Sequence, residues 1–214
     1  MAGGRGAGAV MIRWLFFDIG STLVDESLCD VARIADTVRG SGVSETEFLA
    51  QLREFAAQNL DAYKLCLKHF SLKKAPWRSE LERLYPAVPE LLKDLSQKYA
   101  LGIIANQNAG LEERLREWGI LPYFRVIVSS CEAGVAKPES EIFERALARA
   151  ECLPDEACMI GDRLDNDIMP AQKLGMQTVW VRQGIGGYGN AKLLETPPTM
   201  VISDIAALRD ILLA

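Results

Sequence analysis

The chain has 214 residues, 49% hydrophobic and 25% charged, a globular composition long enough to bury a substantial core in one domain carrying at most a modest insertion. Its 24 basic and 29 acidic side chains give a net charge of −5, without the concentrated basic surface that phosphate-backbone binding needs, so no nucleic-acid partner is expected. No apolar run approaches the ~20 residues that span a bilayer, so no membrane partner is expected either, and five cysteines without a Cys-x-x-Cys pair, beside a single histidine, form no familiar zinc cluster and suit a reducing, cytoplasmic setting.

Residues 1–11, opening MAGGRGAGAV, are small and low in complexity and are expected to form a flexible extension outside the fold. From Ile12 onward short apolar runs alternate with segments of helical period, the pattern of a parallel sheet flanked by helices. The fold class is therefore α/β. The first strand, Ile12 to Phe17, stops at Asp18. Residues 25–86 then contain several helical segments and no convincing strand, which reads as a helical insertion. Ser44 and Glu47 have capping-box spacing there and predict a helix from about Glu45 to Leu60. Lys64, Lys68, Lys73, Lys74 and His69 read as solvated or packing residues of that insertion.

The alternation resumes at residue 87. Helices are expected from Pro89 to Tyr99, from Ala109 to Trp118 with Gly119 ending it, and from Pro138 with Ile142, Phe143, Ala146 and Leu147 as its buried stripe. Two more are expected at Ile168 to Leu174 and at Asp204 to Leu213, the last with Ser203 as N-cap. Strands are expected at Leu101 to Ala105, Arg125 to Ser129, Ala157 to Ile160, Gln177 to Val181 and Met200 to Ile202, with Gln183 to Pro198 a long loop. The resulting division is a core of residues 12–24 and 87–214 and an insertion of residues 25–86.

Four polar residues stand where apolar strands end: Asp18 after LFF, Asn106 after GIIA, Lys137 after VIVSS and Asp162 after MIG. In open α/β sheets ligands bind outside the carboxyl ends of the strands, so these residues are expected to converge on one crevice. Two carboxylates and an ammonium there suit a metal ion and a phosphoryl group. Asp18, Asp162 and Asp167 would offer hard oxygen ligands to Mg²⁺, while Lys137 balances anionic charge. Asp165 is expected only to cap the helix that follows. The five cysteines are expected to be small buried hydrophobes.

The strings FFDIGSTLVD, LGIIANQN, GVAKPESEIF and MIGDRLDNDIMPAQKLGM, in that order between about Ile12 and Leu213, resemble the four motifs of the haloacid dehalogenase superfamily, in the subfamily whose helical cap follows motif one. The resemblance implies a Rossmann-like doubly wound sheet with a small all-helical cap over residues 25–86, and a Mg²⁺-dependent phosphatase of small phosphorylated metabolites. Asp18 would attack phosphorus to form an aspartyl-phosphate that water then hydrolyses. The resemblance further implies Mg²⁺ held by Asp18, the main-chain carbonyl of Gly20, and Asp162, with Asp167 behind or sharing the ion. Lys137 would bridge Asp18 and the phosphoryl group, and Thr22 would orient the motif-one turn beside it.

Two departures from the family pattern shape these expectations. Gly20 stands where related phosphatases carry the aspartate that acts as general acid and base, so proton transfer worth ~10²–10⁴ in rate is expected to be missing and activated esters to be favoured. Ala105 stands where a hydroxyl would donate to phosphate, leaving Asn106 or backbone N–H groups to substitute. Dehalogenase-like and phosphonatase-like hydrolases of the superfamily also lack an acid at the position of Gly20, and a weakened phosphate- or metal-binding regulatory protein would tolerate both departures. The acidic GDRLDND cluster favours the metal-dependent phosphatase among these.

Overall fold

The computed structural model describes residues 11–214, so the extension expected over residues 1–11 lies, apart from Met11, outside the described residues. The first strand, β1 (Trp14–Phe17), is buried along its whole length. Successive side chains on a strand face opposite ways, and WLFF is apolar on both. Leu15 and Phe17 enter one hydrophobic cluster while Trp14 and Phe16 enter another on the opposite face. Each fully buried phenylalanine contributes roughly 1.5–3 kcal/mol.

After β1 the chain forms β2 (Val24–Asp25), α1 (Ser27–Val38), α2 (Glu45–Ala56), α3 (Ala62–His69) and β3 (Arg83–Leu84). The expectation of helices alone over residues 25–86 is corrected here: β2 and β3 pair antiparallel and tie the segment's two ends together at its root. The single helix expected from Glu45 to Leu60 is also divided. Ser44 Oγ caps α2 by accepting from Glu47 N–H at 3.1 Å. Asn59 then takes a left-handed φ of 58°, a conformation that asparagine tolerates, and Asp61 caps α3. Ile34, Phe48, Leu52 and Cys66 give the segment its own apolar cluster, against which Ile185 of a much later loop packs.

The remaining elements are α4 (Val88–Leu95), β4 (Ala100–Ala105), α5 (Leu111–Glu117), β5 (Phe124–Ser129), α6 (Ser130–Ala133), α7 (Ser140–Ala150), β6 (Ala157–Gly161), α8 (Met169–Lys173), β7 (Gln177–Val181), β8 (Met200–Ile202) and α9 (Ala207–Leu212). The main sheet is parallel in the order β5-β4-β1-β6-β7-β8. This is the doubly wound order, and its direction reverses between β1 and β6, where such sheets open a crevice.

Element ends shift from the expected positions by a few residues. The helix expected from Pro138 begins at Ser140, and Ser203 does not cap the last helix, whose lead-in is instead held by Asp204 Oδ1 accepting from Ala206 N–H at 2.7 Å. The stretch Gln183 to Pro198 carries short 3-10 turns at Gly186–Tyr188 and Ala191–Leu193. Cys29, Cys66 and Cys158 are buried as expected, whereas Cys131 is exposed. No helix among the described residues is long and apolar enough to cross a membrane.

Candidate active site

β1 and β6 present their carboxyl ends side by side because the two strands pair in register, and Asp18 N–H extends that pairing by donating to the Ile160 carbonyl at 2.9 Å. Asp18 and Asp162 are thereby set across the crevice. Asp167 reaches it from a π-helical turn, Leu164–Ile168, a rare conformation that recurs at functional sites. Each of Asp18, Asp162 and Asp167 places a carboxylate oxygen within 4.8 Å of the others. The Lys137 ammonium, buried between β5 and α7, donates to Asp18 Oδ1 at 2.5 Å and to Asp167 Oδ1 at 2.6 Å.

Electrostatics follow from the count of charges. Burial works against the Lys137 ammonium, but Asp167 and Asp18 outweigh it and hold the amine pKa above its ordinary value. The carboxylates outnumber the lysine. Burial, then Asp167 and Asp18, push the Asp162 carboxyl well above the usual carboxylate range. Burial also raises Asp167 despite its ion pair, with Asp18 adding to the rise. Clustered, buried hard oxygens carrying excess negative charge fit a small divalent cation such as Mg²⁺.

Magnesium is therefore expected to raise the melting temperature. At a hundred times its dissociation constant the gain is about 2.7 kcal/mol, or roughly 5–10 °C for a chain of this size. Because the folded-state pKa values of Asp162 and Asp167 are raised, the stability those groups contribute is present at low pH and lost as pH rises through them. The cation replaces the protons, so the shift should be larger at pH 8 than at pH 6 and should shrink in Asp162→Ala. An equal shift in wild type and variant, read by scanning fluorimetry, would remove Asp162 from the cation site.

Other expected site residues are placed differently. Thr22 does not line the cavity: it is fully buried and its hydroxyl lacks a hydrogen-bond partner. Its neighbour Ser21 is the polar group of that turn facing the site. Asn106 does line the cavity, yet its side chain binds the Lys137 main chain twice, Nδ2 donating to the carbonyl at 2.9 Å and Oδ1 accepting from the N–H at 2.8 Å. It thus positions Lys137 with the groups that were expected to replace the missing hydroxyl at Ala105. Asp165 pairs with Arg163, which donates from Nε at 3.0 Å, rather than capping a helix.

A cavity of about 590 Å³ extends from these groups to α1–α3 and their linkers, a volume suited to a small metabolite. Across it stand Arg33, Tyr63 and Trp77, with the Arg33 guanidinium 3.4 Å from the Tyr63 ring centre and 5.3 Å from that of Trp77. Lys74, expected to be only solvated, lines the cavity as well, whereas His69 packs edge-on against Phe55 and Phe70. Glu26 also faces in. Burial and then the Asp18 charge push its carboxyl up to about 8.

Sequence reading missed Glu26, Arg33, Tyr63, Trp77 and Gly186. Only Gly186 carries a local signal, its place in the glycine-rich run Gly184-Ile185-Gly186-Gly187 of the loop after β7; its backbone lies so close to Asp162 Oδ2 that any Cβ would displace that carboxylate.

The haloacid dehalogenase-like hydrolase family model matches residues 15–181. A glyceraldehyde 3-phosphate phosphatase of Methanothermobacter thermautotrophicus is 30% identical over 94% of this chain and the whole of that protein. A phosphoserine phosphatase of Thermus thermophilus is 31% identical over 62% of this chain and 52% of the relative. Among solved structures, a HAD phosphatase from Thermococcus onnurineus superposes with a TM-score of 0.62 at 25% identity, covering 94% of this chain and 98% of that one.

Proposed function

The chain belongs to the haloacid dehalogenase-like hydrolases, and we propose that it hydrolyses small phosphate monoesters through a phosphoryl group carried on Asp18. The observation that supports this reading best is the Lys137 ammonium, 2.5 Å from Asp18 and 2.6 Å from Asp167 at the sheet's switch point. An ammonium there pairs with the nucleophile and favours an anionic group beside it. Asp18, Asp162, Asp167 and the Gly20 carbonyl would hold Mg²⁺. When bound, the ion neutralises charge on the phosphoryl oxygens.

Asp18 attacks phosphorus in line, the ester oxygen leaves, and water later cleaves the acyl phosphate. Asn106 keeps Lys137 in register through both halves, and the segment 25–86 serves as a cap that excludes bulk water from the cavity. The Methanothermobacter and Thermus relatives are named for glyceraldehyde 3-phosphate and phosphoserine, three-carbon phosphates with a polar far end. Arg33 with Tyr63 and Trp77 offers such an end an ionic and aromatic surface. Unpaired cysteines throughout the described residues suit a reducing cytoplasmic setting.

Phosphate release from a panel of small monoesters, including glyceraldehyde 3-phosphate and phosphoserine, is expected in the presence of Mg²⁺ and to disappear on chelation. A parallel arm with 2-haloacids should release no halide. Halide release without phosphate release would replace the phosphatase reading by a dehalogenase one.

A further inference from the structure

Hydrolysis of an alkyl phosphate through Asp18 needs a proton for the leaving oxygen in its first half and a proton acceptor for water in its second. The groups already placed are committed. Lys137 is held between two carboxylates, Asp18 forms the new bond, and Asp162 and Asp167 belong to the cation site. Gly20, the next cavity residue of the turn, has no side chain. Its space is nevertheless filled: a Cβ built on Gly20 would lie 2.6 Å from both carboxylate oxygens of Glu26 and 2.8 Å from its Cδ.

The chain reversal brings Glu26 there. The Ile19 carbonyl accepts from Leu23 and Val24 N–H groups at 2.9 and 3.0 Å, β2 pairs with β3, and α1 begins just beyond Glu26. Ser21, at a left-handed φ of 54°, donates from Oγ to Glu26 Oε2 at 3.2 Å and holds the carboxyl over the turn. Glu26 and Gly20 line the same cavity as Asp18. Among the described residues, Ser21 is the one side chain hydrogen-bonded to that carboxyl, and no basic group pairs with it.

We propose that Glu26 is the proton-transfer residue of this hydrolysis, delivering from the root of α1 the carboxyl that position 20 lacks. The inference rests on the phosphomonoester reading above. As Asp18 bonds to phosphorus and the P–O ester bond breaks, the Glu26 carboxyl gives its proton to the departing oxygen. The Glu26 carboxylate then takes a proton from the attacking water, the bond between phosphorus and Asp18 breaks, phosphate departs, and both side chains return to their starting states. The expectation that proton transfer is missing is thereby replaced. Gly20→Asp alone should gain nothing, because Glu26 fills the space.

The test compares Glu26→Gln with wild type on glycerol 3-phosphate, glyceraldehyde 3-phosphate and p-nitrophenyl phosphate, with acid-quench detection of phosphoenzyme and a thermal melt. Turnover of the alkyl esters is expected to fall roughly 10²-fold. Nitrophenolate leaves without a proton, so the aryl ester should give a burst of about one equivalent per site while phosphorylated Asp18 accumulates, its hydrolysis now lacking a base. The Glu26→Ala/Gly20→Asp double variant, with the space cleared, should recover alkyl turnover well above Glu26→Ala alone. Equal losses on both ester classes without phosphoenzyme, or wild-type alkyl turnover in a folded Glu26→Gln, would overturn the role of Glu26 alone. A wild type inert toward every ester would overturn the phosphomonoester reading itself, and this inference with it.

Discussion

Asp18→Asn is expected to stop phosphate release by at least about 10³-fold while leaving the protein folded, because the amide keeps the shape of the carboxylate but is a poor nucleophile. The fold has little reason to suffer. Asp18 is one of three carboxylates crowded within 4.8 Å, and Lys137 keeps its bond to Asp167. Removing one negative charge lowers the repulsion that raises Asp162 and Asp167, so the metal-free variant should melt at or above the wild-type temperature. Acid-quenched wild type should carry labile phosphate that the variant lacks. Near-wild-type turnover by the variant would end the covalent reading.

Lys137→Met should have the largest effect on stability. Methionine fills a similar volume but leaves Asp18 and Asp167 facing each other without their shared cation, and losing one partner of a buried ion pair costs about 3–5 kcal/mol. At roughly 2–4 °C per kcal/mol for a chain of this length, the metal-free variant should melt about 6–20 °C lower at pH 8. Asp167 already has a raised folded-state pKa with the lysine present, and without it the rise is larger. A group so raised contributes stability at low pH that is lost as pH increases through its folded-state value. Part of the loss should therefore return between pH 8 and pH 6. Adding Asp167→Asn should restore stability in the variant, giving a coupling measurable by a double-mutant cycle. A melting temperature within a degree or two of wild type would show that the ion pairs carry no net stability.

Strand positions, and the side chains standing at strand ends, were legible without coordinates. A strand buried on both faces must be apolar along its length, so WLFF, GIIA and ACMI identify themselves, and the polar residue that ends each run marks the sheet's edge. In a parallel sheet those edges coincide, which is why Asp18, Asp162 and, in the loop after VIVSS, Lys137 could be assembled before any coordinates, although the short α6 between β5 and Lys137 was not foreseen. Local chemistry also announced the Ser44 cap, and it missed the break after Ala56 only because the apolar period of Phe48, Leu52 and Ala56 continues to Leu60, across the polar Asn59 where the chain turns.

Tertiary structure alone decided what fills the spaces between those edges. The amide of Asn106 is used up by the main chain of Lys137, 31 residues away, and Gly186 is pressed against Asp162 by a loop whose path no local pattern encodes. Thr22 turned into the core and Ser21 toward the site because the motif-one turn takes a left-handed step at Ser21. The glycine at position 20, read alone, means a missing carboxyl. A sequence records which side chain a residue has, whereas the occupant of the adjacent space is set by the short β2–β3 pairing and the entry into α1, contacts between segments roughly 60 residues apart, and these place Glu26 there.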